Sequence, residues 1–123
     1  MLLLWVACSN HLNDTAPMQM LASQYDITAF GPPACGGPRQ EGMFVGVGNS
    51  LFNNGANCGK TLSIRHEEGM AIWVTINNLC PECDDKNTID LQSQGAWPAL
   101  KATIHDQYSE YNGDIPVTVR FQD

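Results

Sequence analysis

The cysteines are the residues whose spacing most clearly invites chemistry. The chain has five: Cys8, Cys35, Cys58, Cys80 and Cys83. Cys80 and Cys83 flank Pro81-Glu82 in a Cys-x-x-Cys pair. Zinc, redox and disulfide chemistry all use such a pair. A four-cysteine zinc site usually draws on two of them, and here Cys35 and Cys58 stand alone. A Cys-x-x-Cys redox centre normally sits between a strand and a long helix. The next helical pattern in this chain is short and starts ten residues on, at Ser93. Disulfides are the favoured reading. With Cys8 set aside in an N-terminal leader, four cysteines allow two bridges and three connectivities. The favoured pairing is Cys35 with Cys58 and Cys80 with Cys83. The first closes a loop of 23 residues, worth about 3 kcal/mol in the chain-entropy model. The second mainly fixes local geometry. No metal site, no cofactor and no nucleophilic thiolate are expected.

Other reactive side chains give weaker signals. Glu82, Asp84 and Asp85 cluster around Cys83, and a solvated acidic turn is preferred over a cation site. His66 lies beside a turn and His105 in a polar stretch, neither with a partner at a telling spacing, so both are expected to be solvated. Trp73 and Trp97 are expected in the core, where a buried indole N–H needs only an acceptor.

The elements that must position these residues read as strands. Ile115, Val117, Val119 and Phe121 alternate with Pro116, Thr118 and Arg120. Leu62 and Ile64 alternate with Thr61, Ser63 and Arg65. Glu67-Glu68-Gly69 is a turn, and Met70 to Ile76 is an apolar run, which together predict a hairpin. Met43, Val45 and Val47 interleave with Gly46 and Gly48, as in a crowded or bulged strand. Helical signal is sparse. Asn49 to Asn53 reads as one turn capped by Gly55. Ser93 to Leu100 reads as a short helix with Ser93 as cap and Pro98 limiting it. Short strands with few helices predict an all-β barrel or sandwich.

The chain has 123 residues, the size of one domain. Thirteen acids against six bases give a net charge of −7. That balance argues against nucleic acid and anionic membrane as partners. Met1 to Ala7 is apolar but too short to span a bilayer, which takes roughly 20 residues. It resembles the end of a signal peptide, and Val6-Ala7-Cys8 resembles a bacterial lipobox with Cys8 as the lipidated residue. Asn13-Asp14-Thr15 matches a glycosylation sequon. Residues 1–24 are expected to be leader remnant and linker, and residues 25–123 the folded domain, exported and monomeric.

Five segments in order resemble the double-psi β-barrel domains of the barwin, expansin and rare-lipoprotein-A-like superfamily. They are Tyr25-Asp26-Ile27-Thr28-Ala29-Phe30-Gly31 with Ala34-Cys35-Gly36, then Val47-Gly48-Asn49-Ser50-Leu51-Phe52 with Ala56-Asn57-Cys58-Gly59-Lys60. Val74 to Cys83, Ile89-Asp90-Leu91 and Gly113-Asp114-Ile115-Pro116-Val117 complete the set. The resemblance implies a six-stranded double-psi β-barrel with short helical turns, stapled by disulfides.

It also implies a groove running past Thr28, Phe30, Asn78 and Asp90 that takes a glycan. Asp90 matches the family's aspartate in its Asp-Leu motif, the residue that would act as acid/base in a lytic transglycosylase. Ordinary glycoside hydrolysis uses two carboxylates. The second family aspartate falls at Asn78, whose amide cannot trade a proton. The family's serine after Asp-Leu is replaced by Gln92. The expectation is therefore a non-hydrolytic, expansin-like domain that binds or loosens cell-wall polysaccharide. The alternatives are a secreted inhibitor or effector that binds an extracellular protein through Pro32-Pro33 and Tyr108 to Asn112, and a lytic transglycosylase working through Asp90. A wholly structural Asp90, accepting backbone N–H bonds at a turn, is the competing reading of that residue.

Overall fold

The computed structural model describes residues 16–29, 31–104 and 113–122. Cys8, the sequon at Asn13, Phe30, His105 and the Tyr108 to Asn112 segment lie outside the described residues. Six strands close a barrel: β1 (Met18–Tyr25), β2 (Phe44–Val47), β3 (Thr61–Arg65), β4 (Ile72–Leu79), β5 (Thr88–Gln92) and β6 (Ile115–Phe121). Their order around the barrel is β1-β5-β2-β4-β3-β6. The pairs β1–β5 and β2–β4 are parallel, and the other four are antiparallel. Closure leaves no strand edge open to another chain.

Alternation along the strands builds the core. Val45, Val47, Leu62, Ile64, Val74, Ile76, Ile89, Leu91, Ile115, Val117 and Val119 are buried, each contributing on the order of 1.5–3 kcal/mol by leaving water. The predicted hairpin is β3–β4, with Leu62 opposite Val74 and Ile64 opposite Ile72. The closing strand β6 buries the residues that alternation assigns to its inner face, with Phe121 half-buried at the end.

The first strand differs from expectation. β1 ends at Tyr25, so it lies almost wholly ahead of the expected domain start, and the segment after it forms a 3-10 turn at Ile27–Ala29. The strand is hard to see because its one fully buried side chain is the small Ala22, while Leu21 faces outward. Its pairing with β5 and β6, not its own pattern, makes it a strand.

Among the described residues, three short helices join the strands: α1 (Asn49–Phe52), α2 (Cys83–Lys86) and α3 (Ala96–Ala102). α1 ends on Asn53 in the left-handed region, rather than on Gly55, which belongs to the 3-10 turn that follows. α3 starts after Gly95 and runs through Pro98 to Ala102. Proline is harmless there because the first turn has no partner for its N–H. Ser93 caps no helix; its hydroxyl donates to the Tyr25 carbonyl at 2.8 Å, tying β5 to β1. Gly95 is obligatory because a β-carbon there would lie 2.1 Å from the Gly42 carbonyl oxygen.

Two side chains sit differently from expectation. Trp97 is buried, but Trp73 is 57% exposed on β4. It occupies the outward parity between Ile72 and Val74, which an unbroken apolar run conceals. His66 is buried, its Nδ1 accepting the Glu68 N–H at 3.1 Å, so the histidine shapes the turn rather than facing water.

Both disulfides have the favoured pairing, Cys35–Cys58 and Cys80–Cys83. The longer bridge ties the loop after β1 to the segment entering β3. Replacing Cys35 and Cys58 together by Ser should lower unfolding free energy by about 3 kcal/mol. Denaturant unfolding without reductant checks this, and a loss under 1 kcal/mol, on the order of an exposed substitution, would contradict it.

Candidate functional site

Strand register assembles the site. Ser23 on β1 pairs with Asp90 on β5, Asp90 with Gly46 on β2, and Gly46 with Asn78 on β4. These four residues form one row across four strands. Leu91, Val45 and Ile76 form a buried row on one side of it, and the buried pair Ala22 and Ile89 lies on the other, so the Ser23 row faces outward. A register shift between Val45 and Gly46 sets Ile76 opposite Val45 but Asn78 opposite Gly46. Without that bulge, Asn78 would share the inward parity of Ile76. Re-aiming a side chain is a common use of a bulge.

Asp90, Gly46 and Asn78 of this row floor a groove of about 300 Å³, which Tyr25, Leu79, Cys80, Pro81 and Glu82 also line. Gly46 leaves the space between the Asp90 and Asn78 side chains open. Tyr25 is positioned by pairing with Gln92 at the end of β1. Gln92 is fully buried. Its side-chain oxygen accepts the Gly42 N–H at 2.6 Å and its amide donates to the Gln40 carbonyl, so it pins the loop before β2.

Asp90 is half-buried and accepts a hydrogen bond from the Ser23 hydroxyl. No backbone N–H donates to it among the described residues. Burial pushes its carboxyl above the ordinary value. The Ser23 hydrogen bond opposes that, Glu82 adds repulsion, Lys86 offsets part of it, and Asp114 adds a little more. Burial also raises the Tyr25 phenol; Asn78 opposes the rise and the Asp90 charge adds to it. The phenol therefore stays protonated at neutral pH.

Asn78 is committed on one side. Its Oδ1 accepts the Ala34 N–H at 2.9 Å and the Leu79 N–H at 3.0 Å, holding the loop that carries Cys35. Its amide NH2 faces Tyr25. The sulfurs of Cys80 and Cys83 lie within 4.8 Å of an Asp90 oxygen. They are bonded to each other, so this cluster offers one carboxylate and no thiolate to a metal.

Of the expected groove residues, Asn78 and Asp90 come together. Thr28 does not line the groove. Its N–H and hydroxyl both go to Asp26 Oδ1, at 2.8 and 2.7 Å, and Gln94 donates to the same oxygen. These bonds hold the Asp26 carboxyl below its ordinary value. The acidic cluster divides. Glu82 lines the groove, whereas Asp84 accepts the Ser50 N–H at 3.0 Å and the Ser50 hydroxyl at 2.9 Å, anchoring α1. Tyr25, Ser23 and Gly46 carry no local signal of a site. The pairing of distant strands alone brings them to Asp90. A second, water-sized cavity shares Tyr25 and Asn78 with the groove. It is also lined by Asn77, whose side-chain oxygen is buried without a partner.

The closed six-stranded barrel, with its parallel pairs and two disulfides, is a double-psi β-barrel domain. Solved structures with this fold include the apo expansin of Clavibacter michiganensis, similar at TM-score 0.67 and 21% identity over 88% of this chain and 51% of the expansin. A variant of that expansin in complex with cellohexaose matches at TM-score 0.64 and 18% identity, over the same shares of the two chains. The chain thus spans about half the length of these expansins. The Streptomyces papain inhibitor matches at TM-score 0.65 and 25% identity, over 86% of this chain and 94% of the inhibitor. No protein-family model matches the sequence, and no curated protein matches it. No helix among the described residues is long and apolar enough to cross a membrane. The disulfides fit an oxidising compartment.

The raised Asp90 carboxyl makes a signed prediction. A folded state that binds this proton more tightly is penalised once the group ionises. The penalty is absent below the ordinary carboxylate value, near 3.8, and fully present above the raised one. Asp90→Asn should therefore unfold at a higher temperature than wild type at pH 7. The difference should close as pH falls toward 3.5, roughly below the ordinary carboxylate value. A lower midpoint for the variant at pH 7 would show that the charge itself holds the fold.

Proposed function

We propose that the domain is extracellular and binds cell-wall polysaccharide along the groove over Asp90 without hydrolysing it. One observation carries this reading. The Asp90 carboxylate lies in an open groove with a Ser23 hydroxyl as its donor, and no backbone N–H donates to it among the described residues. A carboxylate fixed for scaffolding would be saturated by backbone donors. This one keeps acceptor capacity for sugar hydroxyls. The Asn78 amide and the protonated Tyr25 phenol add polar groups on either side. Leu79 and Pro81 supply apolar wall.

The absence of hydrolysis rests on the inner pair of the groove. Asn78 stands across Gly46 from Asp90, and an amide cannot serve as the second acid or base. Glu82 is exposed on the disulfide turn, where its charge acts on Asp90 as a repulsion. The cellohexaose complex of the similar expansin supports a glycan as the ligand class.

A second reading, a peptidase inhibitor, is favoured by the match that spans nearly the whole of the Streptomyces papain inhibitor. One experiment separates the two. Wild type, Asp90→Asn and Gly46→Ala are incubated with insoluble cellulose, chitin and peptidoglycan, and assayed in parallel against papain. Wild type should be retained on at least one glycan without releasing soluble sugar. Asp90→Asn should bind about tenfold more weakly, the scale of one charged hydrogen bond. Gly46→Ala should also weaken retention, because its β-carbon fits 3.6 Å from Asn78 and narrows the floor. No retention on any glycan, with stoichiometric inhibition of papain, would replace the first reading by the second. Peptidoglycan fragments released by wild type but not by Asp90→Asn would make Asp90 an acid/base instead.

A further inference from the structure

The barrel has a second surface with unspent recognition chemistry, centred on β3, three strand steps from the strand of Asp90. β3 lies opposite β5 in the closed order. The outward residues of β4, β3 and β6 line up in rows: Trp73–Ser63–Arg120, Thr75–Thr61, and Arg65–Thr118. The inward residues between them, Leu62, Ile64, Val74 and Val119, are core, which fixes the direction of these rows.

Trp73 is 57% exposed, yet its indole is not loose. Its Nε1–H donates to Gln122 Oε1 at 3.3 Å, which sets the plane of the ring. Across β3, Arg120 is exposed and its side chain makes no hydrogen bond or ion pair among the described residues. The Ser63, Thr61 and Thr75 hydroxyls have no hydrogen-bond partner there either. Arg65 lies at the rim, where its guanidinium donates to the His66 and Glu67 carbonyls at 3.3 Å.

Charge sets this face apart. The chain has 13 acids and 6 bases, yet β3, β4 and β6 contain Arg65 and Arg120 and no Asp or Glu. Acids are rare on the barrel strands, with Asp90 on β5 and none on β1 or β2, so the two arginines are what distinguish this face. Two strand spacings separate Trp73 from Arg120, about 10 Å, roughly the length of a disaccharide.

From this arrangement we infer that the β3–β4–β6 face is a second glycan-binding surface, selective for polysaccharide that carries carboxylates. The Trp73 ring stacks on the apolar face of one sugar. The Arg120 fork takes a carboxylate of a neighbouring sugar in a paired hydrogen bond. The intervening hydroxyls meet the ring hydroxyls. A neutral glycan would use the ring and leave the guanidinium unmatched. A lipid surface would need more than one exposed aromatic and a larger basic cluster.

Affinity electrophoresis tests this surface, with the whole protein run through gels containing polygalacturonate or neutral hydroxyethylcellulose. The protein is itself anionic, so retardation by polygalacturonate cannot arise from net charge. Wild type should be retarded by polygalacturonate and much less by the neutral polymer. Trp73→Ala should weaken that retardation about tenfold, while Trp73→Phe keeps most of it. Arg120→Gln should weaken it several-fold and flatten its salt dependence. Both positions are at the surface, and far-UV circular dichroism verifies the fold of each variant. Retention on the groove's insoluble glycan should not change in Trp73→Ala, which separates this surface from the groove. Absence of retardation by polygalacturonate, equal retardation by the neutral polymer, or wild-type behaviour of Trp73→Ala would each overturn the inference.

Discussion

The structure turns on the way β2 is held between β5 and β4. It runs antiparallel to one and parallel to the other, with a one-residue register shift on the β4 side. That shift lets Ile76 fill the core while Asn78 joins the outward row of Asp90 and Gly46. Moving the register by one residue would exchange buried and exposed faces, burying Asp90 and exposing Leu91. The core therefore enforces the geometry of the groove. The cost of misplacing Val45, Ile76, Ile89 and Leu91 keeps the site residues aligned.

The same arrangement governs the electrostatics. Asp90 sits against the core-facing disulfide turn, loses part of its hydration and receives the Ser23 hydroxyl in return. Its charge is disfavoured but not neutralised by a cation at close range, the condition in which a polar ligand gains most from approaching it. The neighbouring bonds are structural. Asp84 anchors α1, Asp26 closes the 3-10 turn, and Gln92 holds the loop before β2. Together they fix the loops around the groove and leave Asp90, Glu82 and the Asn78 amide to face it. The second surface obeys the opposite rule, since its cation lies on three strands free of acids.

What the sequence made legible depends on where the information lies. β6 and the β3–β4 hairpin show in the chain because one face of each is buried and the other is polar. The disulfide pairing, the favoured one of three connectivities, is realised in the structure. Asp90 was visible through the motif around it, and Gly46 through the glycine-interleaved pattern of a bulged strand, though not as the floor of a site. β1 was missed because Ala22 is too small and Leu21 too apolar to make a period. Trp73 was misplaced because Ile72-Trp73-Val74 is apolar on both faces. His66 was expected in solvent, but it is buried and its ring accepts the Glu68 N–H of its own turn, a local bond that spacing does not reveal. Tyr25 and Ser23 enter the site only through parallel pairing with β5, a contact between residues more than sixty positions apart.

The proposed function places a polysaccharide along the groove over Asp90, Gly46 and Asn78. The most direct measurement is amide NMR of the labelled protein titrated with soluble oligomers of cellulose, chitin and peptidoglycan. Glycan binding in the groove should shift the amides of Gly46, Asn78, Leu79 and Asp90 together and saturably with one of these oligomers, leaving those of the buried β6 residues unmoved. Saturable shifts confined to another face, or none with any oligomer, would contradict it.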